Sequence, residues 1–506
     1  MSDVKGRVGK GVAWIGSARL IVSLAGFMSV LVLARLLTPE DYGLVAIATA
    51  MLAVTTSLTE LSVGSALVHH PAPTDDHYHS AFTLLLVRST FIGVLFCLAA
   101  YPLAVLYHDR RLIAVTIAVG LTGAVQGLNN PRLATLSKQL IFWPDFAFQV
   151  PQKLASLVVG VAVAYYYRSY WALVIGSAAA TACSIAISYV IIPYAPRLRF
   201  THIRGLMNFS IWLWFGSALN TLNNRLDQLV IGYFIGKYPL GLYAVAENLA
   251  VLPTRETTMP IAQTLFPAFS ALSDQKDRLR RAYQLGQSTI FAVAMPAGFG
   301  FVLIAHPLIL LALGEKWLGA VPILQILAAM FALQTLSASV QPLAMAKGAT
   351  RRLFRRDMRN FAIRIPLMIA GVLSGGIIGI VIARAVSGIL DALINMGLVS
   401  QLIGAGIADQ LRANTRALFA TAAMVLAGGA LQAWNLQATK EVAAIWQIAE
   451  LIAVGGTVYI GATLLLWSLS GYARGPETEI VRLIRSLGKG TVGSQTSPYA
   501  ADGNMG

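Results

Sequence analysis

Charged side chains are scarce in this sequence of 506 residues. Asp, Glu, Lys and Arg make up 12% of it, whereas soluble domains carry about 25%, and 57% of its residues are hydrophobic. A soluble globular protein is therefore excluded. The net charge of +16 does not indicate a nucleic-acid partner, because the basic residues lie mostly in loops between apolar runs of about 20 residues. Composition predicts an integral membrane protein whose basic loops contact anionic membrane lipids.

Cysteines and nucleotide-binding motifs are also nearly absent. Cys97 and Cys183 both lie in apolar segments, so we expect two buried thiols and neither a disulfide framework nor a thiolate metal site. Four histidines share the loop 65–80 with Asp75 and Asp76, but no helix is expected to fix ligand geometry there, so a solvated loop is favoured over a metal site. The phosphate-binding motif GxxxxGK[ST] is missing. We expect no metal and no cofactor, and a proton or sodium gradient rather than ATP as the source of energy.

Apolar segments long enough to cross a bilayer as helices recur along the whole chain. They predict an all-α integral membrane protein with about fourteen transmembrane helices. The predicted spans are 12–33, 42–64, 81–107, 112–130, 146–167, 170–193, 209–235, 242–262, 288–313, 319–343, 361–377, 378–402, 415–433 and 443–468.

Basic residues are distributed unequally between alternate loops. Loops on the side of the N-terminus hold 24 Lys and Arg residues, whereas the opposite loops hold 7. Because basic loops stay on the cytoplasmic side, this imbalance places both termini in the cytoplasm. The exported loops are all short, so no extracellular domain is expected. The longer cytoplasmic connection at 263–287 is predicted to form an interfacial amphipathic helix.

Part of the first half of the chain reappears in the second half. Residues 33–46, LARLLTPEDYGLVA, recur in weaker form as IGYFIGKYPLGLYAVA at 231–246, which places Gly43 on Gly241 with an offset of 198. A second echo places 111–115 on 317–321 with an offset of 206. Two echoes in the same order at nearly the same offset predict a transporter built from two related lobes.

Thirteen charged residues fall inside predicted spans, where a lipid-facing charge costs roughly 2.5–3.5 kcal/mol at the centre of a helix. Most of them must therefore face protein or water. Arg364 lies near the end of its span and is expected to snorkel to the surface, an option also open to Arg19 and Arg88. The alternatives for the other charges are ion pairs between helices and a hydrated cavity that binds a polar substrate.

Polar side chains on two spans are spaced as one face of a helix requires. Ser217, Asn220, Asn224 and Asp227 follow one another at intervals of three or four residues. Arg384, Ser387, Asp391 and Asn395 form a similar stripe. For the deep charges this pattern favours the cavity. The candidates for substrate binding are Arg225, Arg255, Asn220, Asn224, Arg88, Lys153 and Arg19, and the candidates for ion coupling are Asp227, Glu247 and Asp391.

Three stretches carry a family resemblance: LARLLTPEDYGLVA after the first span, Ala81-Phe82 at the start of the third, and NRLDQLVIGYFIGKYPLGLYAVAENLAVLP at 224–253. With them, residues 5–470 resemble the bacterial polysaccharide-transport (Wzx-like) flippases of the multidrug/oligosaccharidyl-lipid/polysaccharide exporter superfamily. The resemblance implies an inner-membrane protein that moves undecaprenyl-pyrophosphate-linked sugar repeat units to the periplasmic leaflet, for exopolysaccharide, capsule or O-antigen synthesis. Asn224, Arg225 and Asp227 match the family's pattern, which assigns no separate role to each.

The resemblance also implies two six-helix lobes around a central cavity, followed by two extra helices. The corresponding domains are an N-terminal lobe at 1–205, a C-terminal lobe at 206–410, two extra helices at 411–470 and a cytoplasmic tail at 471–506 with a disordered end.

Three other functions stay open. A drug or cation antiporter of the same fold would favour a cavity dominated by carboxylates, whereas the candidates here are mixed and slightly basic. A peptidoglycan lipid-precursor flippase is separated poorly by sequence alone. A membrane glycan polymerase or ligase usually presents its catalytic residues on a large exported loop, which this sequence does not have, so we expect no enzyme. Polysaccharide polymerase and export proteins are the expected protein partners.

Overall fold

The structure is a computed structural model in which all regular elements of the described part are helical. The described residues are 19, 21–60, 63, 67, 73–133, 143–201, 211–434, 441–471 and 475–478. In the first half the helices are α1 (Ile21–Leu36), α2 (Pro39–Leu58), α3 (Asp75–Leu106), α4 (Arg111–Val125), α5 (Trp143–Tyr167) and α6 (Trp171–Ile191). The later helices are α7 (Ile211–Phe234), α8 (Lys237–Ala271), α9 (Lys276–Ala312), α10 (Val321–Gln334), α11 (Val340–Ala346), α12 (Thr350–Ile403), α13 (Ile407–Arg412), α14 (Thr415–Trp434) and α15 (Glu441–Leu469).

The molecule is an all-α membrane protein. Within the described ranges, ten helices are long and apolar enough to cross a membrane, and α1 is a shorter apolar helix. The more polar α7 and α8 are not among the ten, and α12 covers two predicted spans at once. The described part of every predicted span thus falls mainly on helix, while the number of fourteen crossings stays a prediction. The N-terminus before residue 19, most of the loop 65–72 and the end of the tail lie outside the described residues.

One face of α3 shows how the helices meet lipid. Large apolar side chains along it are exposed at intervals of three or four residues, which is the spacing of a single helical face. A continuous apolar stripe of this length is unfavourable in water and favourable against the hydrocarbon tails of lipid, so this face of the helix faces the membrane. Cys97 is exposed on α3, so our expectation that it is buried is wrong. The stripe consists of Val87, Phe91, Val94, Leu98, Tyr101 and Val105.

The start of α2 is fixed by its own sequence. Thr38 is the N-cap, Pro39 follows inside the first turn, and Asp41 completes a capping box. The Asp41 backbone N–H donates to Thr38 Oγ1 at 3.3 Å, and the Thr38 N–H donates to Asp41 Oδ2 at 3.0 Å. Two free donors at the helix end are thereby satisfied, which typically contributes about 1 kcal/mol.

α12 is a helical hairpin. Its helical geometry breaks at Gly375 and Gly376, where Gly376 has a φ of 56° that favours glycine. The two arms, 350–374 and 377–403, pack so closely that an added Cβ on Gly371 would lie 2.5 Å from the carbonyl oxygen of Gly379. The predicted boundary between two spans at Gly375-Gly376 is therefore confirmed.

The connection at 263–287 differs from our prediction. α8 continues to Ala271 and α9 begins at Lys276, so two long helices meet at a short turn instead of flanking an interfacial helix. Phe269, Leu279 and Tyr283 are buried in a small apolar cluster together with Val399 of α12. The apolar residues that suggested a membrane-surface helix pack against protein instead.

The two repeated stretches pack against each other at the start of α2 and α8. A Cβ on Gly43 would collide with the carbonyl oxygen of Lys237, and a Cβ on Gly241 would collide with that of Pro39. With the offset of 198, Pro39 corresponds to Lys237 and Gly43 to Gly241, so the contact is reciprocal. We call this contact the glycine crossing. A local two-fold relation between the halves is thus visible in the structure, whereas the domain boundaries remain predictions.

Candidate functional site

The polar stripe of α7 lines a cavity inside the second half of the chain. The cavity has a volume of about 290 Å³ and lies between α7, α10 and both arms of α12. Asn220 and Asn224 line it, as predicted from their spacing, together with Asn223. A neighbouring cavity of about 280 Å³ shares Asn220 and also contacts Ser217. The lining residues of both cavities belong to the second half, and the substrate-binding role of the two predicted amides stays a prediction.

Asp227 is the centre of a buried ion cluster at the base of this stripe. Its carboxylate is fully buried and forms ion pairs with Arg364 and Arg384, which come from the two arms of α12. The Arg364 Nη2 to Asp227 Oδ2 distance is 2.5 Å. The Tyr243 hydroxyl of α8 donates to the same carboxylate oxygen at 2.8 Å. One side chain therefore joins α7, α8 and α12.

Glu247 balances the charge of this cluster. Arg384 Nη2 lies 2.9 Å from Glu247 Oε1, and Gln228 Nε2 donates to Glu247 Oε2 at 2.9 Å. The Arg384 guanidinium also lies over the ring of Phe331, 5.6 Å from its centre. Two carboxylates and two guanidiniums thus neutralise one another away from water, as buried charges require.

Arg364 corrects one of our predictions. It was expected to snorkel to the surface, but it is 8% exposed and paired with Asp227. Snorkelling requires an open route to water along the helix. Here the Arg364 guanidinium instead pairs with the Asp227 carboxylate on the facing helix.

The three candidates for ion coupling lie in different surroundings. Asp227 and Glu247 are held by guanidiniums. Asp391 accepts hydrogen bonds from the amides of Asn395, at 3.0 Å, and Asn360, and among the described residues it has no ion pair. It also lines the 290 Å³ cavity. Asp391 is thus the candidate whose carboxylate has the capacity left to bind a proton or a small cation.

Arg255 and Lys153 lie near each other from opposite halves of the chain. Their positive charges repel each other. Arg255 is half-exposed and paired with its neighbour Glu256 at 3.1 Å. The Lys153 side chain lies against Gly26 of α1, whose added Cβ would be 3.3 Å from Lys153 Cε. Two cations predicted on separate helices, one from each half of the chain, are therefore near enough for their charges to interact.

The other predicted cations have separate locations. Arg225 is exposed on α7 and has no ion pair within the described residues, although its charge acts on Glu247 and Arg384 of the ion cluster. Arg88 donates to the Thr56 carbonyl at 2.6 Å and to Thr59 Oγ1 at 3.2 Å, at the end of α2. Arg19 is half-buried just before α1. The substrate-binding roles of all three stay predictions.

Polar contacts join the halves beside the glycine crossing. Lys237 Nζ of α8 lies 2.5 Å from Asp109 Oδ2 in the α3–α4 turn. A second set of contacts joins the segment between α9 and α10 to the segment between α1 and α2. Trp317 Nε1 donates to the Ala34 carbonyl at 2.8 Å, and Lys316 Nζ donates to the Leu37 carbonyl at 2.7 Å. All four loops belong to the predicted exported set, so these contacts close one face of the molecule.

The ion pair at Asp109 is insensitive to ordinary changes of pH. Desolvation raises the pKa of Asp109, but hydrogen bonds from Arg111 and Lys237 outweigh it and lower the pKa to about 2. A depressed carboxyl pKa stabilises the contact above the unfolded-state pKa near 4, and the stabilisation is lost only as the pH falls through about 2. The contact therefore persists at any physiological pH.

Some of these contacts carry no signal in the sequence. The ion pairs of Asp227 join residues 137 and more positions apart, and helical spacing reports only neighbours on one helix. The only sequence signal for this ion cluster was that Arg384 lies on the same polar helical face as Asp391, which indicates that Arg384 faces protein or water and does not identify its partner. Trp317 falls on the second repeated stretch and Lys316 directly precedes it, but that repeat did not predict the contact.

Replacing Asp227 tests the ion cluster. Asp227→Asn removes one charge and leaves Arg364 without a carboxylate, so we expect a loss of roughly 3–5 kcal/mol in stability. Asp274→Asn, at an exposed turn, is the matched control and should change stability little. Thermal unfolding of the two purified variants in detergent measures the difference, and equal melting temperatures would show that the cluster does not stabilise the fold.

Solved structures with this fold are transporters. A lipid II flippase, MurJ, in an inward closed conformation aligns with a TM-score of 0.71 and 16% identity, covering 90% of this chain and 99% of that one. A multidrug resistance MATE family transporter of the MOP superfamily, in an inward-facing conformation, aligns with a TM-score of 0.55 and 13% identity, covering 76% and 98%. At these identities the likeness establishes the fold alone.

Sequence relatives are proteins of polysaccharide synthesis. The lipopolysaccharide biosynthesis protein WzxC of Escherichia coli K12 is 25% identical over 380 residues, 73% of this chain and 76% of WzxC. The succinoglycan biosynthesis transport protein ExoT of Rhizobium meliloti is 24% identical over 310 residues, 60% of this chain and 62% of ExoT. A family model described as "Polysaccharide biosynthesis protein" matches residues 32–322. Because that match spans more than half of the sequence, the chain belongs to the polysaccharide biosynthesis protein family.

Proposed function

We propose that this protein is a flippase that moves an undecaprenyl-pyrophosphate-linked oligosaccharide repeat unit from the cytoplasmic to the periplasmic leaflet of the bacterial inner membrane. The product would serve exopolysaccharide, capsule or O-antigen synthesis. The observation that carries the proposal is the match of the polysaccharide biosynthesis family over residues 32–322, on a chain whose two halves are joined at one face and bring the cations Arg255 and Lys153 near each other. Family membership and relatives named for lipopolysaccharide synthesis and succinoglycan transport support the substrate class.

The charge of the two cations suits the substrate. A lipid-linked sugar has a pyrophosphate between an apolar tail and a polar head, so its head needs a hydrated path while its tail stays in lipid. Arginine grips phosphate oxygens through two parallel hydrogen bonds, and lysine supplies a point charge. A drug antiporter would place unpaired carboxylates between the halves, and here Glu256 is already paired with Arg255.

The closed face supports an alternating-access mechanism. With the basic loops in the cytoplasm, the glycine crossing and the Asp109–Lys237 ion pair lie at the periplasmic end, and both termini lie in the cytoplasm. Substrate would enter between the halves from the inner leaflet. Release then requires α2 and α8 to separate at the crossing while the opposite ends approach.

The energy source in this proposal is an ion gradient. Asp391 is the coupling carboxylate that we favour, because Asp227 and Glu247 are occupied by Arg364 and Arg384. Protonation of Asp391, or a sodium ion at its free oxygen, would change the charge of the cavity inside the second half. Asp391→Asn should then abolish dependence on the gradient without unfolding the protein. Polymerase and export proteins would take up the delivered repeat unit.

A peptidoglycan lipid-precursor flippase is the second candidate. The alignment with the lipid II flippase MurJ over 90% of this chain favours it. Both substrates would carry the same lipid pyrophosphate, so the two candidates differ in the sugar that is recognised.

A deletion strain separates these candidates. Without the protein, intact lipid-linked repeat units should accumulate on the cytoplasmic leaflet, because their synthesis continues and their export stops. The measurement is protection of the labelled sugar head from an enzyme added outside spheroplasts. Loss of viability with accumulated peptidoglycan precursor would favour the second candidate, and unchanged export of both the repeat unit and the peptidoglycan precursor would contradict both candidates.

Gly43→Ala tests the closed face. An added Cβ would collide with the Lys237 backbone, which cannot move away as a flexible side chain would. We expect Gly43→Ala and Gly241→Ala each to lose most of the polysaccharide export of a complemented deletion strain while remaining inserted. Gly300→Ala is the matched control, since a Cβ there meets nothing within 4 Å. Full export by both crossing variants would show that the close approach is not needed.

Substitution of Arg255 tests the path between the halves. Arg255→Ala should abolish export, and Arg255→Lys should reduce it partly, because charge remains but the two-pronged grip on phosphate is lost. We expect the same order for Arg225. Arg110→Ala, which removes an exposed charge at the opposite face, should export normally. Complementation by the two alanine variants at normal protein levels would make these arginines structural.

A further inference from the structure

A second basic site lies outside the path described above. A cleft of about 800 Å³ opens between α9, the segment from α13 to α14, and the short described segment of the tail. It lies at the predicted cytoplasmic face, where the second half meets the two extra helices.

Four guanidiniums converge on this cleft from separate elements. Arg280 and Arg281 come from α9, Arg412 from the end of α13, and Arg416 from α14. On an ordinary basic surface, such side chains would turn away from one another into water. Here elements distant in sequence direct like charges towards one space, which is unfavourable unless an anion lies between them.

Only part of this charge is neutralised within the described residues. Arg280 pairs with Asp409 at 2.8 Å, and Arg416 pairs with Glu477 of the tail at 3.1 Å. Arg281 and Arg412 are exposed and have no ion pair there. Two guanidiniums therefore remain available, beside the hydroxyl groups of Ser288 and Thr478 and the amide of Gln284.

The cleft has an apolar side as well. Leu285, one helical turn from Arg281, lines it and is 39% exposed. Phe419, one turn from Arg416 along α14, is 66% exposed. A ligand that is anionic at the membrane surface and apolar just below it would contact both parts.

We propose that this cleft binds the phosphate head group of an acidic phospholipid from the cytoplasmic leaflet. The head group would bridge Arg281 of α9 and Arg412 of α13, while an acyl chain lies along Leu285 and Phe419. The lipid would thereby join the two extra helices to the second half. Basic pockets between transmembrane helices at a cytoplasmic face are suited to such head groups.

Glu477 gives the site a second feature. The Glu477 carboxylate, in the tail, forms an ion pair with Arg416. The tail backbone also lies close to this guanidinium, because an added Cβ on Gly475 would be 2.8 Å from Arg416 Nη2. The tail therefore competes with a phosphate for one of the four guanidiniums. Removal of this carboxylate should strengthen lipid binding, whereas removal of Arg281 and Arg412 should weaken it.

Purified full-length protein tests the proposal. The thermal unfolding temperature is measured in detergent with increasing dioleoylphosphatidylglycerol, with phosphatidylcholine as the neutral lipid and with inorganic pyrophosphate as the soluble anion. We expect phosphatidylglycerol alone to stabilise the protein. The variant R281Q/R412Q should need roughly 30-fold more of it, because each basic residue near an anionic surface contributes roughly fivefold. E477Q should need less.

The matched control removes equal charge at the same face. Arg352 and Arg355 are exposed, line a different groove and have no ion pair within the described residues, so R352Q/R355Q should respond like the unaltered protein. An equal loss in both double variants would overturn the proposal, because the effect would then be general attraction to a basic surface. Equal stabilisation by pyrophosphate would overturn the assignment to a lipid. R281K/R412K should retain intermediate binding. If R281Q/R412Q does not fold, E477Q tests the proposal by itself, and weaker binding of phosphatidylglycerol by E477Q would contradict it.

Discussion

The close approach of two backbones at Gly43 and Gly241 determines how the rest of this protein is arranged. Any side chain at either position would overlap a carbonyl of the facing helix. The two glycines therefore allow α2 and α8 to meet with almost no space between them. The neighbouring loops then come within hydrogen-bonding distance, and Asp109 meets Lys237 at 2.5 Å. Closure of this face results from two missing side chains and a few polar contacts.

The second constraint is the cost of charge in a membrane. An isolated charge there is unstable, so Asp227 and Glu247 are matched by Arg364 and Arg384 in one buried cluster. This cluster holds α7, α8 and the α12 hairpin of the second half together. The proposed alternating access requires such internally connected helices to move together. Arg255 and Lys153 lie outside this cluster.

The sequence predicts much of the fold because its signals are local. Apolar runs of about 20 residues mark the spans, Gly375-Gly376 marks the turn of α12, and the offset of 198 marks the repeat whose glycines meet in the structure. Contacts between distant helices were not predictable in this way. Arg364 was assigned to the surface because its distance from the span end is visible in the sequence and its partner, 137 positions away, is not. Phe269 and Tyr283 were similarly assigned to a membrane surface although they are buried against α12.

The most direct test of the account measures distances across the closed face and across the opposite one. Spin labels at Glu40 and Tyr238, both exposed beside the crossing, report the first, and labels at Thr74 and Asp274 report the second. The two native cysteines, Cys97 and Cys183, are replaced by serine. On addition of lipid-linked repeat units, the account predicts a longer distance population for Glu40–Tyr238 and a shorter one for Thr74–Asp274. Unchanged distances, or both pairs lengthening together, would contradict alternating access about the glycine crossing.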